Sequence, residues 1–215
     1  MSDKIVFYHS PRTRASGVFF LLEELGADYE MRVLNMKAGE NREPAFLAVN
    51  PLGKLPTIVA DGQVITEQGA VYIYLADRCS EAGLAPAIGD PLRGAYLRWM
   101  VFYGSSFEPA VVDKAMKRPP APVSTSPYGD FDTVISTLFA QLEKGPYMLG
   151  ERFTALDVLW GMALSWMVGF KLVEPNPAVK AYLERITARP AYQKVVARDA
   201  ELAAAHEVEA AAKKK

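Results

Sequence analysis

The spacing of apolar residues changes near residue 80 of this 215-residue chain, and the change limits the folds open to it. In the first part, residues 4–8 form a short β-branched and aromatic run, residues 13–25 carry leucines at helical spacing, and residues 29–34 have the pattern of a second strand. A unit this compact predicts two parallel strands joined by a right-handed helical crossover.

The rest of the first part predicts an antiparallel hairpin followed by a helix. Residues 55–59 and 63–65 have strand character and flank Asp61-Gly62, a strong hairpin turn signal. A helical pattern over residues 67–78 comes directly after the second of these strands. The first part therefore has the order β-α-β and then β-β-α.

The second part of the chain has helical spacing throughout. A long amphipathic pattern runs over residues 91–116 and stops at a proline-rich stretch. Further helices are predicted near residues 130–144, 155–170, 177–188 and 191–205. Residues 81–90 contain the glycines and proline expected of a linker, so we expect an α/β domain over 1–80 and an all-helical domain over 91–215.

Composition argues against several classes of protein. Half of the residues are apolar, and 24 basic against 25 acidic residues give a formal net charge of −1, which disfavours a nucleic-acid binder with a strongly basic face. The single cysteine, Cys79, excludes an internal disulfide and a Cys-rich zinc site, and the two histidines, His9 and His206, argue against a metal site. The longest apolar stretch, 158–170, is too short to cross a bilayer. We expect a cytoplasmic protein with no signal peptide and no membrane contact.

The most informative motif is Asn-Pro-Leu-Gly-Lys-Leu-Pro, which ends at Pro56. A proline that opens a strand has no N–H to donate, and the residue before it is held in an extended conformation. If the bond before Pro56 is cis, the N–H and C=O of Leu55 face outward, where an extended peptide can pair with them as an added antiparallel strand. The alternative is an ordinary loop with a trans proline, because only about 5–6% of X–Pro bonds are cis.

The helix after the hairpin opens with Thr66-Glu67-Gln68. A helix N-terminus offers free N–H groups and the positive end of the dipole, which suit a carboxylate. In one interpretation Glu67 accepts a hydrogen bond from a ligand ammonium, while Gln68 and the backbone N–H groups hold the carboxylate of the same amino-acid head group. In the other, Glu67 only favours the first turn of the helix.

Together these segments resemble the cytosolic glutathione S-transferases of bacterial type. The Asn-Pro-x-Gly-x-x-Pro stretch, the Thr-Glu-x-x-Ala-x-x-x-Tyr-Leu-Ala run and the helical second part carry the resemblance, which covers nearly the whole chain. It implies a thioredoxin-like domain (βαβ-ββα) over 1–80, a linker over 81–90, and an all-α domain over 91–215.

The resemblance also assigns roles to residues of the two motifs. It implies that Pro56 is cis and that Leu55 pairs with the cysteinyl backbone of glutathione. Glu67 and Gln68 would bind the γ-glutamyl end, with Lys54 near the glycyl end. Family members commonly carry serine at the position of Gln68, but an amide can also donate to a carboxylate.

Glutathione chemistry uses the thiolate, and a free thiol has a pKa near ~8.5. The family keeps the activating group between the first strand and the first helix. Ser10 is the first candidate here and Thr13 the second. Arg12 and Arg14 would stabilise the thiolate and bind glutathione, or else remain solvated loop charges. With Cys79 outside this turn, a cysteine nucleophile is disfavoured.

The expected activity is conjugation of the glutathione thiol to hydrophobic electrophiles, as in detoxification, with glutathione as co-substrate and no metal. A pocket for the electrophile is expected between the domains, with Tyr103 and Phe107 in its wall, although aromatic residues at this spacing also pack as core. The alternatives are a peroxidase, isomerase or dehalogenase that uses the same site, and a binding or regulatory module without turnover. A homodimer is implied by the resemblance.

A separate motif, residues 150–157, predicts a folding device. Thr154 is the expected N-cap of a helix, and Asp157 lies three residues later, where its side chain can return a hydrogen bond to the N-cap backbone.

Overall fold

The structure, a computed structural model, describes the backbone of residues 4–212 and the side chains of residues 4–209. Four strands and nine α-helices are described: β1 Ile5–His9, α1 Ala15–Leu25, β2 Tyr29–Val33, α2 Pro44–Leu47, β3 Thr57–Ala60, β4 Gln63–Ile65, α3 Gln68–Arg78, α4 Arg93–Phe102, α5 Glu108–Ala115, α6 Phe131–Leu142, α7 Ala155–Gly169, α8 Pro177–Thr187 and α9 Pro190–Ala212. This order confirms the predicted β-α-β and β-β-α units and the helical second part. The short helix α2, which lies between the two units, is absent from the prediction.

The four strands form one mixed sheet in the order β2-β1-β3-β4. β1 and β2 are parallel, as the compact strand–helix–strand unit predicts, whereas β3 runs antiparallel to β1 and β4 antiparallel to β3. The alternating residues Ile5 and Phe7 of β1 and Ile58 of β3 are fully or almost fully buried. The sheet therefore has the thioredoxin-like arrangement expected for the first domain.

Two compact units make up the chain. One contains the described residues up to Leu75 and those from Arg189 onward, and the other is Ala76–Ala188. The division lies after Leu75, whereas the prediction places a linker at 81–90. In addition, α9 belongs to the first unit, whereas the prediction includes it in the helical domain.

Contacts between α9 and α1 explain why α9 joins the first unit. The ring of Tyr192 packs edge-on against Phe20, with ring centroids 5.6 Å apart. The guanidinium of Arg189 binds the carboxylate of Glu24 through two N–O contacts of 2.7 and 2.6 Å. These pairs join residues more than 160 positions apart, so helical spacing alone does not reveal them.

Buried hydrogen bonds hold the start of α7 in the helical unit. The predicted capping box is confirmed: the side chain of Thr154 caps α7, and Asp157 Oδ2 accepts the N–H of Thr154 at 2.8 Å. Asp157 is fully buried, and its Oδ1 also accepts the N–H of Met148 at 2.8 Å. Burial raises the pKa of Asp157 to about 6, even though the hydrogen bonds that it accepts act in the opposite direction.

No helix within residues 4–212 is both long enough and apolar enough to cross a membrane.

Candidate functional site

Three segments of the first unit meet at one end of the strands of its sheet. β1 and β3 are antiparallel with Tyr8 opposite Thr57, so the turn after β1 and the loop before β3 lie at the same end. β3 and β4 are antiparallel with Ile58 opposite Ile65, which brings the residues after β4 to that end as well. We call this end the site edge; its segments are residues 10–14, 50–56 and 66–68.

Asn50 fixes the loop that leads into β3. Its Nδ2 donates to the carbonyl of Lys54 at 2.9 Å and to Thr57 Oγ1 at 3.0 Å, while Thr57 Oγ1 donates to the same Lys54 carbonyl at 2.9 Å. Asn50 and Thr57 are both buried. The loop before Leu55 is therefore held by two buried polar side chains instead of by a regular strand ladder.

Leu55 presents free backbone groups at the site edge. The Leu55–Pro56 peptide is cis, as the resemblance implies. Within the described part of the chain, neither the N–H nor the C=O of Leu55 has a backbone hydrogen-bond partner. A free N–H and C=O at the end of a sheet can pair with an extended peptide.

Glu67 lies directly before α3 in a conformation that is uncommon for a residue with a side chain. Its φ is +62°, in the left-handed region, and its carbonyl accepts the N–H of Val71 at 3.0 Å. Its side chain is exposed, and Gln68, the first residue of α3, is half-buried. A carboxylate beside a helix N-terminus gives one acceptor and several donors within a small space, which suits an amino-acid head group.

The turn after β1 brings together the two candidates for thiol activation. Ser10 is buried, and its carbonyl accepts the hydroxyl of Thr13 at 2.7 Å. Thr13 Oγ1 in turn accepts the N–H of Ala15 at 3.2 Å. Because the one hydroxyl proton of Thr13 is engaged within the turn, the structure favours Ser10 over Thr13 as a donor to a ligand. Arg12 and Arg14 are exposed beside them.

Comparison with known proteins matches this architecture. Residues 4–77 match the model of the glutathione S-transferase N-terminal domain. Glutathione S-transferase 3 of Zea mays is 29% identical over 193 residues, which cover 82% of this chain and 86% of that protein. The first unit thus contains a glutathione S-transferase N-terminal domain, and the chain as a whole is similar to glutathione S-transferases.

Two further proteins are similar to this chain over most of its length. The disulfide-bond oxidoreductase YfcG of Escherichia coli (strain K12) is 28% identical over 87% of this chain and 92% of its own length. A sphingomonad glutathione S-transferase complexed with glutathione is 27% identical, with a TM-score of 0.73 over 91% of this chain and 98% of that chain. The proteins that this chain resembles are thus named for different reactions.

Asp199 also holds the turn after β1, and none of the sequence motifs predicts it. It lies on α9, and its Oδ1 is 2.8 Å from His9 Nε2. Its Oδ2 accepts the backbone N–H of Arg12 at 3.1 Å and the hydroxyl of Ser16. Burial acts to raise the pKa of Asp199, but the hydrogen bonds from His9, Ser16 and Arg12 outweigh it and lower the pKa.

One sequence signal could have revealed Asp199. Val195, Asp199 and Ala203 are spaced four residues apart, so they share one face of α9, and all three are buried. An acidic residue on an otherwise apolar helix face is rarely buried unless it is paired. Its partners, however, lie more than 180 residues earlier in the chain.

Tyr103 and Phe107, the expected wall of an electrophile pocket, lie in the core of the helical unit. Phe107 is completely buried and Tyr103 is 4% exposed. Both rings pack against Trp160, with centroid distances of 5.4 Å for Tyr103 and 4.9 Å for Phe107. The Tyr103 hydroxyl donates to Glu108 at 2.7 Å. The structure therefore corresponds to the alternative in which these aromatic residues are core.

No cluster of His, Cys, Asp and Glu side chains that could hold a metal ion is found among the described residues.

Proposed function

We propose that this protein binds glutathione at the site edge and joins its thiol sulfur to hydrophobic electrophiles. The observation that carries the proposal is the free N–H and C=O of Leu55, held beside the start of α3. Glutathione is a short peptide with an amino-acid head group at one end, so it needs a strand-like partner and a receptor for ammonium and carboxylate. The first unit offers both at one edge.

The fit of glutathione follows from its three parts. The cysteinyl N–H and C=O pair with Leu55 as an added antiparallel strand. The γ-glutamyl ammonium donates to the exposed carboxylate of Glu67, and the γ-glutamyl carboxylate accepts from Gln68 and the first N–H groups of α3. The positive charge of the exposed Lys54 pairs with the negative charge of the glycyl carboxylate. Binding of glutathione by the sphingomonad relative supports this assignment.

The thiol then lies toward the turn after β1. There Ser10 donates a hydrogen bond to the sulfur, and the positive charges of Arg12 and Arg14 favour the thiolate over the thiol. The thiolate attacks an electrophilic carbon, a carbon–sulfur bond forms, and the leaving group departs with the bonding electrons. The thiol proton passes to solvent before the attack.

Glutathione binding by a Glu67→Gln variant tests the head-group assignment. Gln keeps the size of the side chain but loses the charge, so we expect glutathione affinity to fall by about 10- to 100-fold because a paired charge is lost. Isothermal titration calorimetry measures the affinity, and Glu43→Ala, at an exposed acid elsewhere in the same unit, is the matched control. Unchanged affinity in Glu67→Gln would remove Glu67 from the site.

Kinetics with two serine and threonine variants test the choice of thiol donor. We expect Ser10→Ala to lower kcat with a model aryl halide much more than Thr13→Val does, because the Thr13 proton is engaged with the Ser10 carbonyl. The opposite ranking would assign the role to Thr13.

A second candidate function is glutathione-dependent reduction of disulfides. It is favoured by the similarity to the disulfide-bond oxidoreductase of Escherichia coli. In that reaction the glutathione thiolate attacks a substrate disulfide, and a second glutathione releases the product as a thiol and forms oxidised glutathione. Rates on an aryl halide, a small disulfide and a peroxide, compared at equal glutathione concentration, separate transferase, disulfide reductase and peroxidase. No turnover in any assay, together with intact glutathione binding, would favour the non-catalytic module.

The proposal extends to the oligomeric state and the cellular location of the protein. We propose a cytoplasmic homodimer that uses glutathione as co-substrate and needs no metal. Sedimentation equilibrium at micromolar concentration tests the dimer, and a monomer would contradict it.

A further inference from the structure

A single carboxylate on α9 holds the turn after β1, which is one of the three segments of the site edge. Asp199 Oδ1 pairs with His9 Nε2 at 2.8 Å, so it is bound at the end of β1. Asp199 Oδ2 accepts from the Arg12 N–H at 3.1 Å, within the turn, and from the hydroxyl of Ser16 at the start of α1. The carboxylate therefore ties together both sides of the turn and its middle.

The conformation of Arg12 depends on this contact. Its φ is +58°, in the left-handed region, which is disfavoured for a residue with a Cβ atom. Such a conformation persists only where the surrounding structure imposes it. The hydrogen bond from the Arg12 N–H to Asp199 is a contact of this kind, and it originates in a helix at the opposite end of the chain.

We propose that Asp199 is a positioning residue for thiol activation: it sets the turn that carries Ser10 and Arg12 without touching the ligand. This inference rests on the proposed function. None of the hydrogen bonds of Asp199 involves Leu55, Glu67 or Gln68, so it acts on the sulfur end of glutathione and not on the head-group end.

Two substitutions at this position separate the geometry of the turn from the charge. Asp199→Ala removes all three contacts. Asp199→Asn can keep its oxygen on the Arg12 N–H and the Ser16 hydroxyl, while its amide replaces Oδ1 and donates to His9 Nε2. That arrangement moves the His9 proton to Nδ1, a buried atom with no hydrogen-bond partner among the described residues. Asn therefore preserves the turn at some expense in stability.

Hydrogen exchange tests the positioning independently of any ligand. We expect the peptide that covers residues 9–16 to exchange faster in Asp199→Ala than in wild type, and at a rate close to wild type in Asp199→Asn. Glu201→Ala, at an exposed acid on the same helix, is the matched control and should leave this peptide unchanged. Equal protection in Asp199→Ala and wild type would overturn the inference.

The pH profile of turnover tests the consequence for the thiol. In Asp199→Ala we expect kcat with a model aryl halide to fall by about 10- to 100-fold near pH 6.5, and less at pH 9, where glutathione ionises without help. The KM for glutathione should change little, and Asp199→Asn should recover most of the rate. A merely structural role would lower activity equally at every pH, and that result would overturn the inference.

The two experiments, hydrogen exchange and the pH profile of turnover, distinguish a failure of this inference from a failure of the proposed function. Wild-type protein that binds no glutathione would refute the proposed function, and hydrogen exchange alone would then decide whether Asp199 holds the turn. Normal glutathione binding with an unshifted pH profile in Asp199→Ala would refute the role of Asp199 and leave the proposed function in place.

Discussion

Replacement of Asp157 by alanine should destabilise the protein more than the loss of an ordinary helix cap. Two backbone N–H groups, those of Met148 and Thr154, each lie 2.8 Å from an oxygen of this carboxylate. The hydroxyl of Tyr182 also donates to it at 3.2 Å. Asp157 and Tyr182 are both completely buried, so water cannot replace the lost acceptor without opening the structure.

The size of the effect follows from these contacts. An unsatisfied buried donor costs about 1–3 kcal/mol, so the two N–H groups alone account for about 2–6 kcal/mol. Burial of the charge, which raises the pKa of Asp157 to about 6, offsets part of this cost. We therefore expect the free energy of unfolding to fall by about 3 kcal/mol at neutral pH, in the lower half of the range for the N–H groups. For a chain of this size, that loss lowers Tm by about 6–12 °C.

Thermal unfolding followed by circular dichroism measures the effect, and α6 provides the matched control. Its N-cap, Asp130, accepts the N–H of Thr133 at 2.8 Å but is exposed. Water can satisfy that N–H after substitution, so Asp130→Ala should cost only about 1 kcal/mol. An Asp157→Ala protein that loses no more stability than Asp130→Ala would refute the argument from burial.

Two more predictions concern stability. The pKa of Asp157, about 6 in the fold, exceeds the ~3.9 of an unfolded aspartate, so folding is favoured by protonation of this carboxyl. This proton-linked part of its contribution is complete only below about pH 4 and is lost as the pH rises through 6, whereas the hydrogen bonds from the two backbone N–H groups remain. Urea titrations should show wild type losing about 2 kcal/mol relative to Asp157→Ala between pH 4 and 7, and parallel pH curves would contradict this. A Cβ at Gly161 would lie 2.5 Å from Ile186 Cγ2, whereas one at Gly94 would meet nothing within 4 Å. Gly161→Ala should therefore cost about 1–3 kcal/mol in thermal unfolding, and Gly94→Ala should be neutral or stabilising; equal Tm values would refute the clash.

Most of the fold could be predicted because its signals are local. The Asp61-Gly62 pair predicts the hairpin between β3 and β4, and Thr154 with Asp157 predicts the start of α7. The position of α9 could not be predicted, because it depends on contacts such as Tyr192 with Phe20, which join distant parts of the chain.

Part of the candidate site could likewise be predicted from local sequence motifs, and part could not. Leu55 and Glu67 belong to short motifs whose chemistry is visible in the sequence. Asp199 has no such motif, because its role depends on a hydrogen bond to Arg12 across 187 residues. The left-handed conformation of Arg12 and Glu67 is also invisible in the sequence, since left-handed positions are usually predicted from glycine.

The sequence ranks Ser10 before Thr13, but the hydrogen bond that supports this ranking is visible only in the structure. Both are hydroxyl residues in the right turn, and the sequence does not show that the Thr13 proton is donated to the Ser10 carbonyl. Likewise, helical spacing does not distinguish a pocket wall from a core, and only the burial of Phe107 against Trp160 identifies it as core.

The most direct test of the central claim is an ultraviolet titration of the thiol of glutathione bound to the wild-type protein. The thiolate absorbs where the thiol does not, and S-methylglutathione, which has no ionisable thiol, provides the baseline at each pH. The proposed site predicts an apparent thiol pKa at least about one unit below the ~8.5 of a free thiol. A bound thiol that titrates at the free value would contradict thiol activation at this site edge.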